Sequence, residues 1–417
     1  MIKQIILLAF YLLGINRAHE NTESRQSPVV KVIVDAAIVP LPGDSITTSV
    51  SYNDPLNRKV GIPPPIITPW DELLFGIKSS EEWHEKRKLL RKRFLELIGD
   101  DAKPPKRPPL DITIHESVDV DGVYTRKLIS YHVESDERAW AYLTFPHGME
   151  KGQRYPAVVV LHGTAVEGKD IVAGFMPRPV HKGQGHMDDL ARRGYVTIAP
   201  DHFNMGQRLP PEGDYHTEML YKRHPGWSAL GKIIYDASVA IDVLETLESA
   251  DTARIGAIGH SLGGMGTIYL AAYDHRIVAA ACNDGSYPFR FDTRIEQYIR
   301  TNKEFSYFPN LRPLIHKGEL PSIDIHEIAA LIAPRAYLDN ISLNDIYGPD
   351  QQGHKQRVLM NLRLADIWQL EGAAANFAFY VRSQEHSCQH DNNELMYAWL
   401  DKHLGQPRAR LLRTVER

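Results

Sequence analysis

The spacing of apolar positions changes character along this chain, and each change predicts a different kind of element. Between 79 and 99, Trp83, Leu90, Phe94, Leu97 and Ile98 recur at helical spacing, with Lys86, Arg87, Lys88, Arg91 and Lys92 between them. This predicts an amphipathic helix whose basic residues form a solvated face rather than a partner-binding patch. Residues 111–118, 123–133 and 139–145 instead alternate, as antiparallel strands joined by short turns do. At 157–161 (AVVVL) the pattern becomes a continuous apolar run, suited to a strand covered on both faces. Similar runs recur at 195–199, 255–258, 277–281, 335–339 and 377–381, separated by helical segments, notably 233–247 and 393–404. Alternating strands followed by alternating strand and helix imply an α/β fold: a mostly parallel sheet with antiparallel N-terminal strands and helices on both faces.

The rest of the chain sets boundaries. Lys3 and the unbroken apolar run 5–13 (IILLAFYLL) read as a signal peptide over 1–18, because the run is about half of the ~20 residues that span a bilayer. The expectation is export, periplasmic or secreted, without stable membrane insertion; a form anchored through this segment is the competing reading. Residues 19–109 form an extension that holds the helix and ends in a stiff linker, KPPKRPP at 103–109. The main domain spans 110–405, and 406–417 is a tail. A formal charge of −4 over 417 residues gives no electrostatic case for binding nucleic acid. Two cysteines, Cys282 and Cys388, provide no disulfide framework.

The segment 255–264, IGAIGHSLGG, carries the candidate chemistry. Ser261 falls between a buried strand and a helix expected at 265–273, with Gly259 and Gly263 two positions to either side. A turn this tight needs small neighbours and projects the hydroxyl above the sheet, the geometry of a nucleophile elbow. The base and its orienting acid should follow on loops after later strands. Asp345 occupies the loop after 335–339, and His386 lies five residues beyond 377–381. Asp284, after the preceding strand, is the alternative acid; Asp339, Asp350 and His390 are weaker rivals. Backbone N–H groups of Leu262 and of Thr164, in the turn after 157–161, are the expected oxyanion-hole donors.

With these residues placed, the chain resembles the α/β-hydrolase superfamily, and within it the dienelactone-hydrolase-like and acetyl-xylan-esterase-like branch. The resemblance rests on LHG (161–163), RRGYVTIAPDHFNMGQR (192–208), RIGAIGHSLGG (254–264) and DHRIVAAACNDGSY (274–287). APRAYLDNISLND (333–345) and EHSCQHDNNELMYAWLDKHL (385–404) complete it. It implies the α/β-hydrolase fold over 110–405 and a serine carboxylic-ester hydrolase with Ser261, His386 and Asp345 as its triad. No metal or organic cofactor is implied, and the substrate is a small-molecule or carbohydrate ester, acetate on a sugar in particular. Dienelactone hydrolases proper use a cysteine nucleophile, where this chain has Ser261. Glucuronoyl methyl esterases usually show G-C-S-R-x-G, where this chain has His260 and Leu262.

Residues 286–330, rich in Tyr, Phe and Arg, are expected to form a helical cap insertion over the pocket mouth, with aromatics available to stack on sugar rings. His202, Trp227 and Tyr287 are candidate pocket residues. His386, Cys388 and His390 spell H-x-C-x-H, yet zinc would want a further ligand such as His181 or His186, so no metal site is expected. Two other classes compete: a serine peptidase of prolyl-oligopeptidase type, which normally carries a large β-propeller, and a non-catalytic binding protein on a hydrolase fold, which would be expected to lose a triad member.

Overall fold

A computed structural model describes residues 68–100, 106–174, 176, 183–213, 215–300 and 305–405, together with the backbone of 32–34. The signal-peptide segment 1–18, most of the extension that follows it, part of the linker and the tail 406–417 lie outside the described residues.

The strands are β1 (Val32–Val34), β2 (Thr113–Val120), β3 (Tyr124–Glu134), β4 (Glu137–Pro146), β5 (Tyr155–Leu161), β6 (Val196–Pro200), β7 (Ala250–His260), β8 (Ile277–Asn283), β9 (Ala336–Ser342) and β10 (Phe377–Arg382). They form one sheet in the order β1-β10-β9-β8-β7-β5-β6-β4-β3-β2. Pairing is parallel from β1 through β6 and antiparallel from β6 to β4, β4 to β3 and β3 to β2. The change falls where the alternating pattern gives way to continuous apolar runs.

Alternate residues of β5 explain why that run is apolar throughout. Ala157, Val159 and Leu161 join one core, with helices Ala229–Glu245 and Leu262–Tyr273. Val158 and Val160 join the other, with helices His186–Arg192 and His390–Leu404. A strand covered on both sides has no polar face to alternate with. Among the described residues, no helix is long and apolar enough to cross a membrane.

Helix Ser80–Ile98 buries Trp83, Leu90, Phe94, Leu97 and Ile98; the Ser79 side chain caps its start and Gly99, at φ 87°, ends it. Its basic side is only partly a solvated face: Lys88 and Lys92 are exposed, whereas Lys86, Arg87 and Arg91 are half-buried. Lys86 donates to the carbonyl of Leu73 at 2.8 Å, Arg87 to that of Leu331 at 2.7 Å, and Arg91 to those of Ala272 and Tyr273. The 20-residue helix Gln351–Leu370 fills the interval between 335–339 and 377–381, where the sequence pattern implies a helical segment without marking its bounds. Its buried side includes His354, Arg357 and Asn361, which interrupt the apolar period that would have announced it.

The insertion at 286–330 is made of short 3₁₀ turns (Phe289–Phe291, Ile295–Ile299, Pro309–Leu311) and two short helices, Arg312–Ile315 and Ile325–Ala330. Its aromatic rings pack on one another: Phe289 lies 5.8 Å from Tyr298 and 5.7 Å from Phe308, both edge-on. Buried in this way, those rings are not presented for stacking on a sugar.

Helix Ala229–Glu245 starts against the end of Ser80–Ile98, and a Cβ on Gly231 would collide with the carbonyl oxygen of Ile98. Gly231→Ala is therefore expected to cost about 1–3 kcal/mol of stability, as overpacking a close contact does. Urea unfolding measures this, and an unchanged midpoint would mean the two helix ends do not meet so closely.

Candidate active site

Five loops at the carboxyl ends of β5, β7, β8, β9 and β10 converge on one place, as ligand sites in open α/β sheets do. The centre is the turn from β7 into helix Leu262–Tyr273. Ser261 adopts φ 59°, ψ −121°, a conformation disfavoured for any residue with a Cβ, and its N–H donates to the carbonyl of Asn283 at 2.9 Å. The turn closes only because glycines flank it. A Cβ on Gly259 would strike the carbonyl of Gly263, and one on Gly263 would strike those of Leu161 and His162. The same contacts bring the loop after β5 against the elbow.

Leu262 opens the helix, so its N–H has no intrahelical partner. In the loop after β5, the N–H of Gly163 donates to Gln184 Oε1 at 3.3 Å. That leaves the exposed Thr164 as the next main-chain donor. Its side chain lowers the pKa of Tyr307, a phenol from the insertion that burial nevertheless pushes up to about 12.

His386 Nδ1 lies 2.9 Å from Asp345 Oδ2. With a carboxylate accepting, Nδ1 donates and Nε2 is left for proton exchange. The His386 ring also sits 4.4 Å, centroid to centroid, from His260, the residue preceding Ser261. Asp345 is held by more than the imidazole. Tyr287 donates to the same Oδ2 at 2.5 Å, and the N–H groups of Tyr347 and Gly348 donate to Oδ1 at 2.7 and 3.1 Å. Burial acts to raise the Asp345 pKa, but the hydrogen bond and charge of His386, with the Tyr287 hydroxyl, outweigh it and hold the carboxyl well below the usual range. Burial and the facing carboxylates of Asp345 and Asp284 push Tyr287 well up, so it stays a donor. Burial, then the neighbouring His386, lower the His260 pKa, which keeps a second positive charge away from His386.

Asp284 has a different set of partners. Arg382 donates to its Oδ2 at 2.5 Å, and Ser342 donates through N–H and hydroxyl at 2.7 Å each. Asp284, Asp345 and His386 nevertheless offer atoms within 4.8 Å of one another, the one such group of three metal-capable side chains among the described residues. Asp284 is ion-paired with Arg382 and Asp345 hydrogen-bonded to His386, so this donor set is already committed within the protein. The H-x-C-x-H residues form no such group: Cys388 lies 3.7 Å from His186, and His390 is exposed at the start of the last helix.

Of the candidate pocket residues, Tyr287 is brought to the Asp345–His386 pair; His202 and Trp227 are not. His202 is buried beneath the loop after β5, with its N–H on His162 Nε2 at 3.1 Å and its own Nε2 2.9 Å from the His162 carbonyl. Trp227 stacks on His224 at 4.5 Å and packs against Tyr235. Sequence reasoning missed Arg382, a charge directly at the end of the apolar run 377–381, and Tyr347. The Tyr347 ring lies 5.0 Å from His386 and is 54% exposed, an aromatic surface open beside the imidazole.

Comparison with known proteins now bears on this geometry. The model of the family described as "Alpha/beta hydrolase family" matches residues 158–415. The chain belongs to that family. YtaP of Bacillus subtilis (strain 168), a hydrolase by name, is 27% identical to this hydrolase over 68% of its chain and 88% of YtaP. Two solved structures share the fold. A glucuronoyl esterase from Solibacter usitatus has a TM-score of 0.63 at 19% identity, over 79% of this chain and 94% of that one. An acetyl xylan esterase, so described, from Bacteroides fragilis NCTC 9343 has a TM-score of 0.55 at 18% identity, over 73% of this chain and 76% of that one.

The adjacent buried pair His162 and His202, ring centroids 3.8 Å apart, gives the hydrolase a pH dependence of definite sign. Burial lowers both pKa values, that of His162 to about 4. The unfolded chain therefore binds more protons below pH ~6.5, and the stability present above that pH is lost as the pH falls toward 4. Unfolding midpoints should fall between pH 7 and 4.5, less steeply in His162→Gln. An equal slope in that variant would remove these imidazoles as the cause.

Proposed function

We propose that this hydrolase cleaves carboxylic esters through an acyl-enzyme formed on Ser261. The observation that carries the reading is the strained elbow at Ser261 beside an imidazole hydrogen-bonded to a buried carboxylate. In this reading His386 Nε2 accepts the Ser261 proton, and the serine oxygen attacks the ester carbonyl. The N–H groups of Leu262 and Thr164 hold the oxyanion as the alcohol leaves with a proton from His386. His386 then takes a proton from water, which attacks the acyl carbonyl and frees the acid. Asp345 keeps the imidazole in the tautomer with Nδ1–H, Tyr287 donates to the same carboxylate oxygen, and the N–H groups of Tyr347 and Gly348 hold the other. No step calls on a metal or an organic cofactor.

Asp345 is assigned as the acid because His386 is bonded to it, whereas Asp284 is engaged by Arg382 and Ser342. For the substrate, we propose an ester on a carbohydrate, with acetate as the acyl group. The support is the description of the structural neighbours as glucuronoyl and acetyl xylan esterases and the open face of Tyr347. Export by residues 1–18 fits an extracellular polysaccharide. The second reading, hydrolysis of methyl uronates, is favoured by the glucuronoyl esterases among the neighbours; its weakness is Leu262, which offers no charge beside the serine.

Ser261→Ala should lower kcat for p-nitrophenyl acetate by on the order of 10⁴–10⁶ with the fold intact, and Asp345→Asn by about 10²–10⁴. Wild-type-like turnover by the serine variant would refute the mechanism, and a larger loss in Asp284→Asn than in Asp345→Asn would reassign the acid. Tyr347→Ala should raise KM for acetylated xylo-oligosaccharides about ten-fold while changing kcat little, the mark of uniform binding. Unchanged KM on sugar esters, or better turnover of methyl glucuronate, would overturn the substrate assignment.

A further inference from the structure

The basic residues of helix Ser80–Ile98 face a second cleft at the opposite end of helix Leu262–Tyr273 from the elbow, about 18 Å away along the helix axis at ~1.5 Å per residue. This cleft of about 570 Å³ is lined by Arg87, Lys88, Arg91, Arg335, His84 and His275, among others. Three guanidinium groups meet there on backbone carbonyls. Arg335 donates to Ala271, Asp274 and Ile277 at 2.5, 3.1 and 2.6 Å, Arg91 to Ala272 and Tyr273, and Arg87 to Leu331 at 2.7 Å.

Capping a helix C-terminus accounts for part of this arrangement, since the carbonyl end of a helix carries roughly half a negative charge. It does not account for three cations. The nearby carboxylates bond to other groups, two of them at the cleft itself: Glu371 to His84 at 3.0 Å, Glu85 to Lys88 at 2.6 Å, Asp274 to Arg276 at 2.6 Å, and Asp100 to the Tyr273 hydroxyl at 3.0 Å; Glu371 reaches Arg87 only through its field. Among the described residues, Arg87, Arg91 and Arg335 make no ion pair with any acid. Burial, followed by the adjacent charge of Arg87, holds Arg335 at about 10, still cationic at neutral pH. Each guanidinium has five N–H groups in a planar fork, and Arg87 commits one to the backbone. Partly buried guanidiniums with no direct carboxylate partner and donors to spare, gathered around a cleft, form a receptor for an anion with several oxygens.

We propose that this cleft is a binding site for a multivalent oxyanion, one bearing phosphate or several carboxylates, separate from the Ser261 site. The site rests on the arginine geometry and not on the esterase reading. Isothermal titration of the full chain at constant ionic strength, set with chloride, tests it with two probes: pyrophosphate for the phosphate source and citrate for the polycarboxylate. One saturable site is expected, weakened about ten-fold or more in Arg87→Gln and in Lys88→Gln. The latter change lies on an exposed side chain and does not endanger folding. Ser261→Ala should bind as the wild type does, so loss of esterase activity and loss of anion binding are told apart. Whichever probe binds tighter names the source. No saturable binding of either probe, or affinity unchanged in both cleft variants, would overturn the proposal.

Discussion

The close approach of main chains at the β7 turn is the constraint on which the site depends. β7 runs between β5 and β8, so its end is fixed by hydrogen bonds on both sides, and helix Leu262–Tyr273 must turn back at once to cover the sheet. That reversal brings the backbone of Gly263 against Leu161 and His162 and forces Ser261 to positive φ. A backbone held out of its favoured regions costs roughly 1–3 kcal/mol and persists only where its surroundings over-determine it. Here the surroundings are two strand neighbours, a buried helix and the Asn283 carbonyl. The same packing fixes the loop after β5 beside the serine, so the two are positioned together.

Electrostatics at the rim separates two carboxylates that are close in space. Both are buried, and both would be costly as unpaired charges. Asp284 is compensated by Arg382 and two donors from Ser342, which ties β8, β9 and β10 together behind the site. Asp345 is compensated by an imidazole, a phenol and two backbone N–H groups. The difference in partners is what supports Asp345, and not Asp284, as the acid in the proposed mechanism. Arg357 serves both, 3.8 Å from Asp284 and over the Tyr287 ring at 4.7 Å, and it comes from helix Gln351–Leu370. That helix supports the site through its polar buried face.

Residues 68–99 pack closely on the body of the protein that follows them. Trp70 is fully buried between Phe291, His326 and the Arg290 guanidinium, and Arg290 pairs with Asp324. Helix Ser80–Ile98 packs at its end on Gly231 and sends its arginines to the far end of helix Leu262–Tyr273. Residues preceding the sheet thus touch both the insertion and the base of the core.

Much of the architecture was legible in residue order, because local rules govern it. Continuous apolar runs mark strands covered on both faces, and alternation marks the antiparallel lead-in. The glycine spacing around Ser261 reflects a steric demand that any chain making this turn must meet. The same locality let Asp345 and His386 be placed on loops after successive strands, β9 and β10. What the order of residues left open was decided by contacts between distant segments. Asp284 and Asp345 are chemically identical in the sequence, and only the seating of Arg382 and Ser342 on one and His386 on the other tells them apart. The basic face of Ser80–Ile98 reads as solvated until the carbonyl end of another helix is brought against it. Helix Gln351–Leu370 hides because the groups it buries are polar, and their partners, Asp339, Asp284 and Ser286, lie far back along the chain. Periodicity reports burial only when burial is apolar; a buried charge is explained by its partner, and the partner is a fact of the tertiary structure.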